Sequence, residues 1–332
     1  TPATTGILAR VTVGGTDFAS YNSTGSGTNA LGLQAFSAYN ANGAYTNINS
    51  AGATDTIKIG SGFITVSALT AASPTVNAVN FSGAGLGLSS TLANANLTVS
   101  SGGIISDAGS GGTNTISVPR VALTVEGMVG VNSGTLSVTG VLTGSAGLTK
   151  SLPGTLILGA QQLYQGQTTV NAGSLRLAGG VNPLFPGQSV SLNSGGTLDL
   201  NGSAQYVQNF TSYGFDSLKL GGSGGRLTNT STTTSTLVIA PAPNSTQTFG
   251  GTIDGAVNFV RLNSWSTVHT GAGTYTGVTA MLGGGITLAV DGTMSATSQI
   301  YNVGASFVID NNTGLSVENN NRVNDAASIT LI

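Results

Sequence analysis

The sequence predicts an all-β chain coiled as a parallel β-solenoid, and three observations carry that expectation. Apolar and polar residues alternate with period two in short runs such as Ile57-Lys58-Ile59, Leu97-Thr98-Val99 and Leu136-Ser137-Val138. A unit of Gly, then Ser or Thr, then Leu, any residue, and Leu or Val recurs. It stands at Gly134-Thr135-Leu136-Ser137-Val138, Gly154-Thr155-Leu156-Ile157-Leu158, Gly173-Ser174-Leu175-Arg176-Leu177 and Gly196-Thr197-Leu198-Asp199-Leu200, at a nearly even spacing. Finally, no stretch sustains a helical apolar period, and the chain is rich in Thr, Val and Gly but poor in Glu, Lys and Arg.

A repeat of about 20 residues fits one coil of a β-helix. A single coil cannot bury its apolar face, whereas a stack buries a continuous core. Coils of that length would give roughly 15 turns over the whole chain. Leu136, Leu156, Leu175 and Leu198 are expected to stack at equivalent inward positions. Gly at the start of the unit is expected to supply corner conformations closed to residues with a Cβ. A sandwich or barrel is the rival architecture, since short strands with regular turns suit it too. The near-constant spacing favours the solenoid.

A longer block is duplicated further along the chain: Tyr164, Gly166 and Thr168 correspond to Tyr275, Gly277 and Thr279, all at the same offset. Residues 20–50 read differently. They are rich in Asn, Tyr, Ala and Gly and include Tyr21, Tyr39 and Tyr45. The expected division is an irregular cap or arm over residues 1–50 and the solenoid over residues 51–332.

Composition bounds the function. Of 332 residues, 51 are Gly and only 6% are charged, against about 25% in ordinary soluble domains. The surface must therefore be built from uncharged polar groups. A net charge of −2 leaves little repulsion between copies, so self-association, head to tail or lateral, is an expected partner mode. Nine basic residues without a cluster argue against nucleic acid. No apolar run reaches the roughly 20 residues of a spanning helix, so no membrane insertion is expected of this segment. There is no Cys, which removes thiolate chemistry. The opening Thr1-Pro2-Ala3-Thr4-Thr5-Gly6 reads as a mature N-terminus after signal cleavage, and so as an extracellular chain.

Candidate chemistry is sparse, and no catalytic, cofactor-binding or metal-binding residue is assigned. His269, the one histidine, lies in Ser266-Thr267-Val268-His269-Thr270 without a neighbouring His or carboxylate, and reads as a strand residue rather than a base or ligand. The carboxylates Asp17, Asp55, Asp107, Glu126, Asp199, Asp216, Asp254, Asp291, Asp310, Glu318 and Asp325 are isolated in sequence. A polysaccharide-cleaving β-helix would need several of them on one face. Arg176 and Asp199 occupy the same place in two repeats and are expected to form an outward surface ion pair, worth under about 1 kcal/mol. Gly221-Gly222-Ser223-Gly224-Gly225 and Gly283-Gly284-Gly285 lack the helix and Lys of a phosphate loop and read as turns. Tyr206, Phe210, Tyr213 and Phe215 could stack on sugar or staple a loop.

The run from Leu148 to Leu177, with Leu152-Pro153-Gly154-Thr155-Leu156-Ile157-Leu158, Tyr164, and Thr168-Thr169-Val170-Asn171-Ala172-Gly173-Ser174-Leu175-Arg176-Leu177, resembles the autotransporter-associated β-strand repeat of bacterial surface and secreted proteins. The resemblance is looser over residues 181–202 and 260–291, and the first hundred residues match only in style. It implies a right-handed parallel β-helix displayed outside the cell, and no particular activity.

The expected function is therefore a non-catalytic extracellular structural or adhesive β-solenoid, stacking head to tail into a surface fibre or filament. The alternative is a carbohydrate-binding or carbohydrate-cleaving β-helix, with a surface polysaccharide as its partner. The sequence stops on Ser328-Ile329-Thr330-Leu331-Ile332, partway through a repeat. Two explanations are expected to compete for that open strand: continuation of a longer passenger, or completion by the next copy.

Overall fold

The computed structural model describes residues 6–23, 32–178, 180–212, 224–243, 246–310 and 322–332. They divide into two compact units, Thr1–Gly166 and Gln167–Ile332.

In the N-terminal unit the chain visits three parallel stacks in rotation. Ala78–Ser82, Gly103–Asp107 and Gly127–Ser133 lie in the first, Gly87–Ser90, Thr113–Ile116 and Thr135–Val138 in the second, and Asn96–Val99, Arg120–Leu123 and Val141–Gly144 in the third. That rotation is the β-solenoid. Its register keeps like with like. Ile57, Val79, Ile104 and Val129 are successive partners along the first stack. Leu97, Val121 and Leu142 follow one another along the third, and Leu136 pairs with Leu156 in the second. All are buried, because alternation sends every second side chain inward.

The C-terminal unit repeats the scheme. Leu175, Leu198, Leu227 and Ile253 form one buried row. A longer stack runs through Ala204–Val207, Ser235–Ile239, Val257–Arg261, Val278–Met281, Gln299–Asn302 and Ser328–Leu331. Beside it stand Gln247–Phe249, Ser266–His269, Gly285–Leu288 and Ser306–Ile309. The duplicated tyrosines Tyr164 and Tyr275 are both fully buried, each in its own unit. The Tyr275 hydroxyl is satisfied by Thr279 Oγ1 at 2.7 Å.

Coil length varies more than the sequence repeat suggests. Leu136 meets its stacked partner Leu156 after one short coil. Leu88 meets none before Ile116, and Gln205 none before Leu237 on the next strand of its stack, so those coils are markedly longer. Corners absorb the extra residues while the strands keep register. The described residues accordingly make about 11 turns rather than about 15.

The corner glycines have two separate reasons. Gly134 adopts φ +64°, and a Cβ there would come within 2.4 Å of the Gly109 carbonyl oxygen. Gly196 has ordinary φ, but a Cβ would meet the Val170 carbonyl oxygen at 2.2 Å. Clearance between stacked coils, rather than left-handed backbone, requires Gly at the second position.

The first fifty residues are more regular than their composition suggests. Leu8–Val13, Asp17–Asn22 and Gly32–Ala35 form an antiparallel sheet. It lies on the outward side of the first stack, where Lys58, Asn80 and Ile105 are register partners. Ile7, Phe18, Tyr39, Ala78 and Ile105 pack there as a small outer core. Burying this apolar patch fixes the plate to the flank of the solenoid.

Candidate functional site

The outward faces carry what chemistry the chain has. In the C-terminal unit, Arg176, Asp199 and Thr228 are register partners on adjacent strands. Arg176 Nε donates to Asp199 Oδ2 at 2.8 Å. Thr230 Oγ1 donates to the same oxygen at 2.6 Å, and the amides of Asn201 and Thr230 donate to Oδ1, each at 3.0 Å. The expected pair exists, but it is not the exposed surface pair that alternation suggests. The Arg176 side chain is 39% exposed and that of Asp199 only 2%. The turn at Asn201 and the strand end at Thr230 wrap the carboxylate with donors.

A second pair stands beyond it. Arg226 grips Asp254 with Nε and Nη2 at 2.6 and 2.8 Å, and Thr228 Oγ1 donates to Asp254 at 2.5 Å. Burial alone would raise the Asp254 pKa, but the hydrogen bonds from Arg226 and Thr228 outweigh it and hold the carboxyl below its ordinary value. Four further acids are held locally. Asp17 holds Lys58, Asp55 takes the Tyr45 hydroxyl at 2.7 Å, Asp107 takes the Ser133 hydroxyl, and Glu126 takes Arg10 and Thr149. Asp216 and Glu318 lie outside the described residues. Among the described residues no three metal-ligating side chains of His, Cys, Asp or Glu come together.

His269 ends the strand Ser266–His269 and points into the core. Its ring meets Phe259 edge-on at 4.9 Å and Phe249 at 6.4 Å. Burial pushes its pKa down to about 4, so it is neutral at pH 7. Phe210 is also a core residue, stacked 4.5 Å from Phe249, so it cannot join a sugar-stacking patch. Tyr206 faces outward and is half-buried; Tyr213 and Phe215 lie outside the described residues.

Among the described residues three buried cations, Lys150, Arg261 and Arg322, escaped the sequence reading, and the first two lie on strands. Lys150 is fully buried and donates from Nζ to the carbonyls of Ser151 and Leu152 at 2.9 and 2.7 Å; burial lowers its pKa to about 7. Arg261 is equally buried, with Nε on Thr267 Oγ1 at 3.0 Å, and burial lowers its pKa to about 10. Alternation marks both: Lys150 shares a side with Leu148, and Arg261 with Val257 and Phe259.

The face best suited to a partner is uncharged. On the long stack of the C-terminal unit, Tyr206, Val238, Val260, Ala280 and Tyr301 are successive register partners pointing outward. All are half-buried. The neighbouring row contains Thr236 and Asn258, which are hydrogen-bonded to each other. The stripe is apolar and edged with amide and hydroxyl groups. In the N-terminal unit a shallow groove of about 360 Å³ is lined by residues including Ser61, Thr65, Ser67 and Leu86, without a carboxylate among them.

Over 179 residues, 52% of its length, the chain is 34% identical to the adhesin BmaC autotransporter of Brucella suis biovar 1 (strain 1330). The chain spans about 5% of the length of that relative. This partial likeness and the stacked parallel fold agree with the resemblance to passenger-type autotransporter repeats. No protein-family model matches the chain, and no solved structure matches it.

Proposed function

We propose that the chain works as a non-catalytic, adhesive β-solenoid at the bacterial surface or in secreted form. The observation that carries this reading is the likeness of half the chain to an autotransporter adhesin. The geometry is compatible with it. Asp199 and Asp254, the acids of the outward ladder, are held by arginines rather than presented to a substrate. The broad uncharged stripe from Tyr206 to Tyr301 offers contact area without titratable groups other than the two tyrosines at its ends.

Adhesion is tested with beads coated with the purified chain. Saturable attachment to cultured cells, matrix protein or a polysaccharide surface, lost on heat-unfolding the coat, is the expected result. No attachment to any of the three surfaces ends the reading. Attachment confined to polysaccharide selects the carbohydrate-binding alternative.

The finer reading is self-association through the edge strands Ser306–Ile309 and Ser328–Leu331. Each pairs on one side only within its sheet of described strands, and Ile309, Ile329 and Leu331 are exposed along them. An exposed apolar edge is a template for another strand.

A further inference from the structure

A polar cluster of the N-terminal unit lies under the antiparallel plate. Lys58 and Asn80 are register partners on the adjacent parallel strands Thr56–Ile59 and Ala78–Ser82. Both lie on the outward side, where residues from the plate and from the segment around Tyr39 cover them. Lys58 Nζ donates to Asp17 Oδ1 at 2.8 Å. It also sits 4.8 Å from the centre of the Tyr39 ring and 5.1 Å from that of Phe63. Asn80 is completely buried, and its Nδ2 donates to the Thr16 carbonyl at 2.9 Å and to the Tyr39 hydroxyl at 3.0 Å. Its carbonyl oxygen has no partner. The Tyr39 hydroxyl in turn donates to Asp17 Oδ1 at 3.1 Å. The amide and the carboxylate therefore meet at one hydroxyl, and the amine stands over the same ring, bonded to the same carboxylate.

A surface ion pair does not need this arrangement. A salt bridge needs Lys58 and Asp17 alone. The cluster adds a buried neutral amide at the register position next to Lys58, and a carboxylate joined to the amine directly and to the amide through the Tyr39 hydroxyl. Water is held off, since the Lys58 side chain is 12% exposed and Asn80 not at all. Proximity of this kind replaces a bimolecular encounter with an intramolecular one.

We propose that Lys58 and Asn80 join in an intramolecular isopeptide bond, with Asp17 as the proton carrier. The Lys58 ammonium gives a proton to the Asp17 carboxylate. The freed lone pair attacks Asn80 Cγ, a new Cγ–Nζ bond forms, and the bond from Cγ to Nδ2 breaks. Nζ loses two protons in all and the departing nitrogen gains two, both taken by Asp17 and passed on through the Tyr39 hydroxyl that lies between them. Ammonium leaves, Asp17 ends ionised as it began, and no oxidant or reductant is involved. The Asn80 carbon is the acceptor rather than the Asp17 carbon, because an ionised carboxylate is a poor electrophile and the amide is neutral. The product ties two neighbouring coils covalently, directly beneath the plate.

Trypsin reads the bond directly in the full-length protein. The unlinked chain is cut after Arg10, Lys58 and Arg120, and so yields fragments 11–58 and 59–120. The linked chain is protected at Lys58 and yields a single fragment 11–120, lighter than its sequence mass by one ammonia. Succinimide formation at another asparagine also releases ammonia but leaves cleavage at Lys58 intact, so the two are separable. In Asp17→Ala the two separate fragments are expected to return, with the circular dichroism spectrum of the folded chain unchanged. Two fragments of sequence mass from the wild-type protein overturn the proposal. A single fragment lighter by one water overturns Asn80 as the acceptor. A link that persists in Asp17→Ala overturns the role given to the carboxylate. If that variant does not fold, the wild-type digest still decides whether the bond exists.

Discussion

Arg176 and Asp199 hold each other at 2.8 Å across adjacent strands, yet one guanidinium edge faces solvent and the carboxylate is almost sealed. The two partners are therefore not equivalent to mutation. Arg176→Ala removes one donor and leaves Asp199 with Thr230 and the Asn201 amide. Its cost exceeds that of an exposed pair, which is under about 1 kcal/mol, because the carboxylate left behind is nearly sealed, but stays below that of the reverse change. Asp199→Ala strands two backbone amides and a hydroxyl inside the corner, at a cost of about 2–3 kcal/mol. Urea unfolding of the two variants should show that asymmetry. Equal losses would mean that the carboxylate is as hydrated as the arginine.

His269 gives the core an acid-sensitive step. Its folded pKa, about 4, lies below the roughly 6.5 of an unfolded histidine. Between these values the unfolded chain takes up a proton that the folded chain refuses. The stability this group contributes is thus full above pH 6.5, declines as pH falls, and is gone below about pH 4. The ceiling is about 3 kcal/mol. His269→Leu, which keeps an apolar contact with Phe259, should flatten the pH dependence of unfolding between those limits. It should leave bead adhesion unchanged. An identical slope in the variant would place the proton elsewhere, and lost adhesion with the fold intact would return His269 to a binding role.

The inward leucine row makes a harsher prediction. Leu175 is fully buried and in register with Leu198. Leu175→Asp would put a carboxylate into a row of Leu198, Leu227 and Ile253 without a partner, a cost of several kcal/mol. The C-terminal unit should lose its cooperative thermal transition. A soluble variant with the wild-type transition would show that the register is wrong.

The rows were legible because burial and alternation are the same signal in a strand, and Leu136, Leu156, Leu175 and Leu198 all show it. The same rule, applied without regard to charge, also places Lys150 and Arg261 inside. A sequence reading that assigns cations to the surface misses them. The cluster of Asp17, Tyr39, Lys58 and Asn80 was not legible for a different reason. Its contacts span up to 64 positions in the chain, as between Thr16 and Asn80, and form only when the plate folds onto the flank. Coil length was misread because corners tolerate insertions that strands do not. Leu198 and Leu227 remain partners although more residues separate them than separate Leu136 and Leu156, so a coil can lengthen without disturbing the row.

The last prediction concerns the strand Ser328–Leu331. Ile329 continues the row of Phe259, Thr279 and Ile300, which is buried up to Ile300 and 59% exposed at Ile329. Leu331 is the partner of Asn302 and is 74% exposed. Among the described residues no further strand pairs with this edge, and its apolar side chains are exposed. Burying such an edge against another strand gains about 25 cal/mol for each Å² of apolar surface removed from water. With a net charge of −2, little repulsion opposes the approach of a second copy. Sedimentation velocity over a range of concentrations should show reversible growth of the wild-type species. Ile329→Glu with Leu331→Glu should reduce that growth without lowering the main thermal transition, because both side chains are already in solvent. Added salt should partly restore association of the variant by screening the new charges. Monomers at every concentration in the wild type would rule out assembly through this edge. Association unchanged by the double substitution would place the contact elsewhere, with the stripe from Tyr206 to Tyr301 as the next surface to alter.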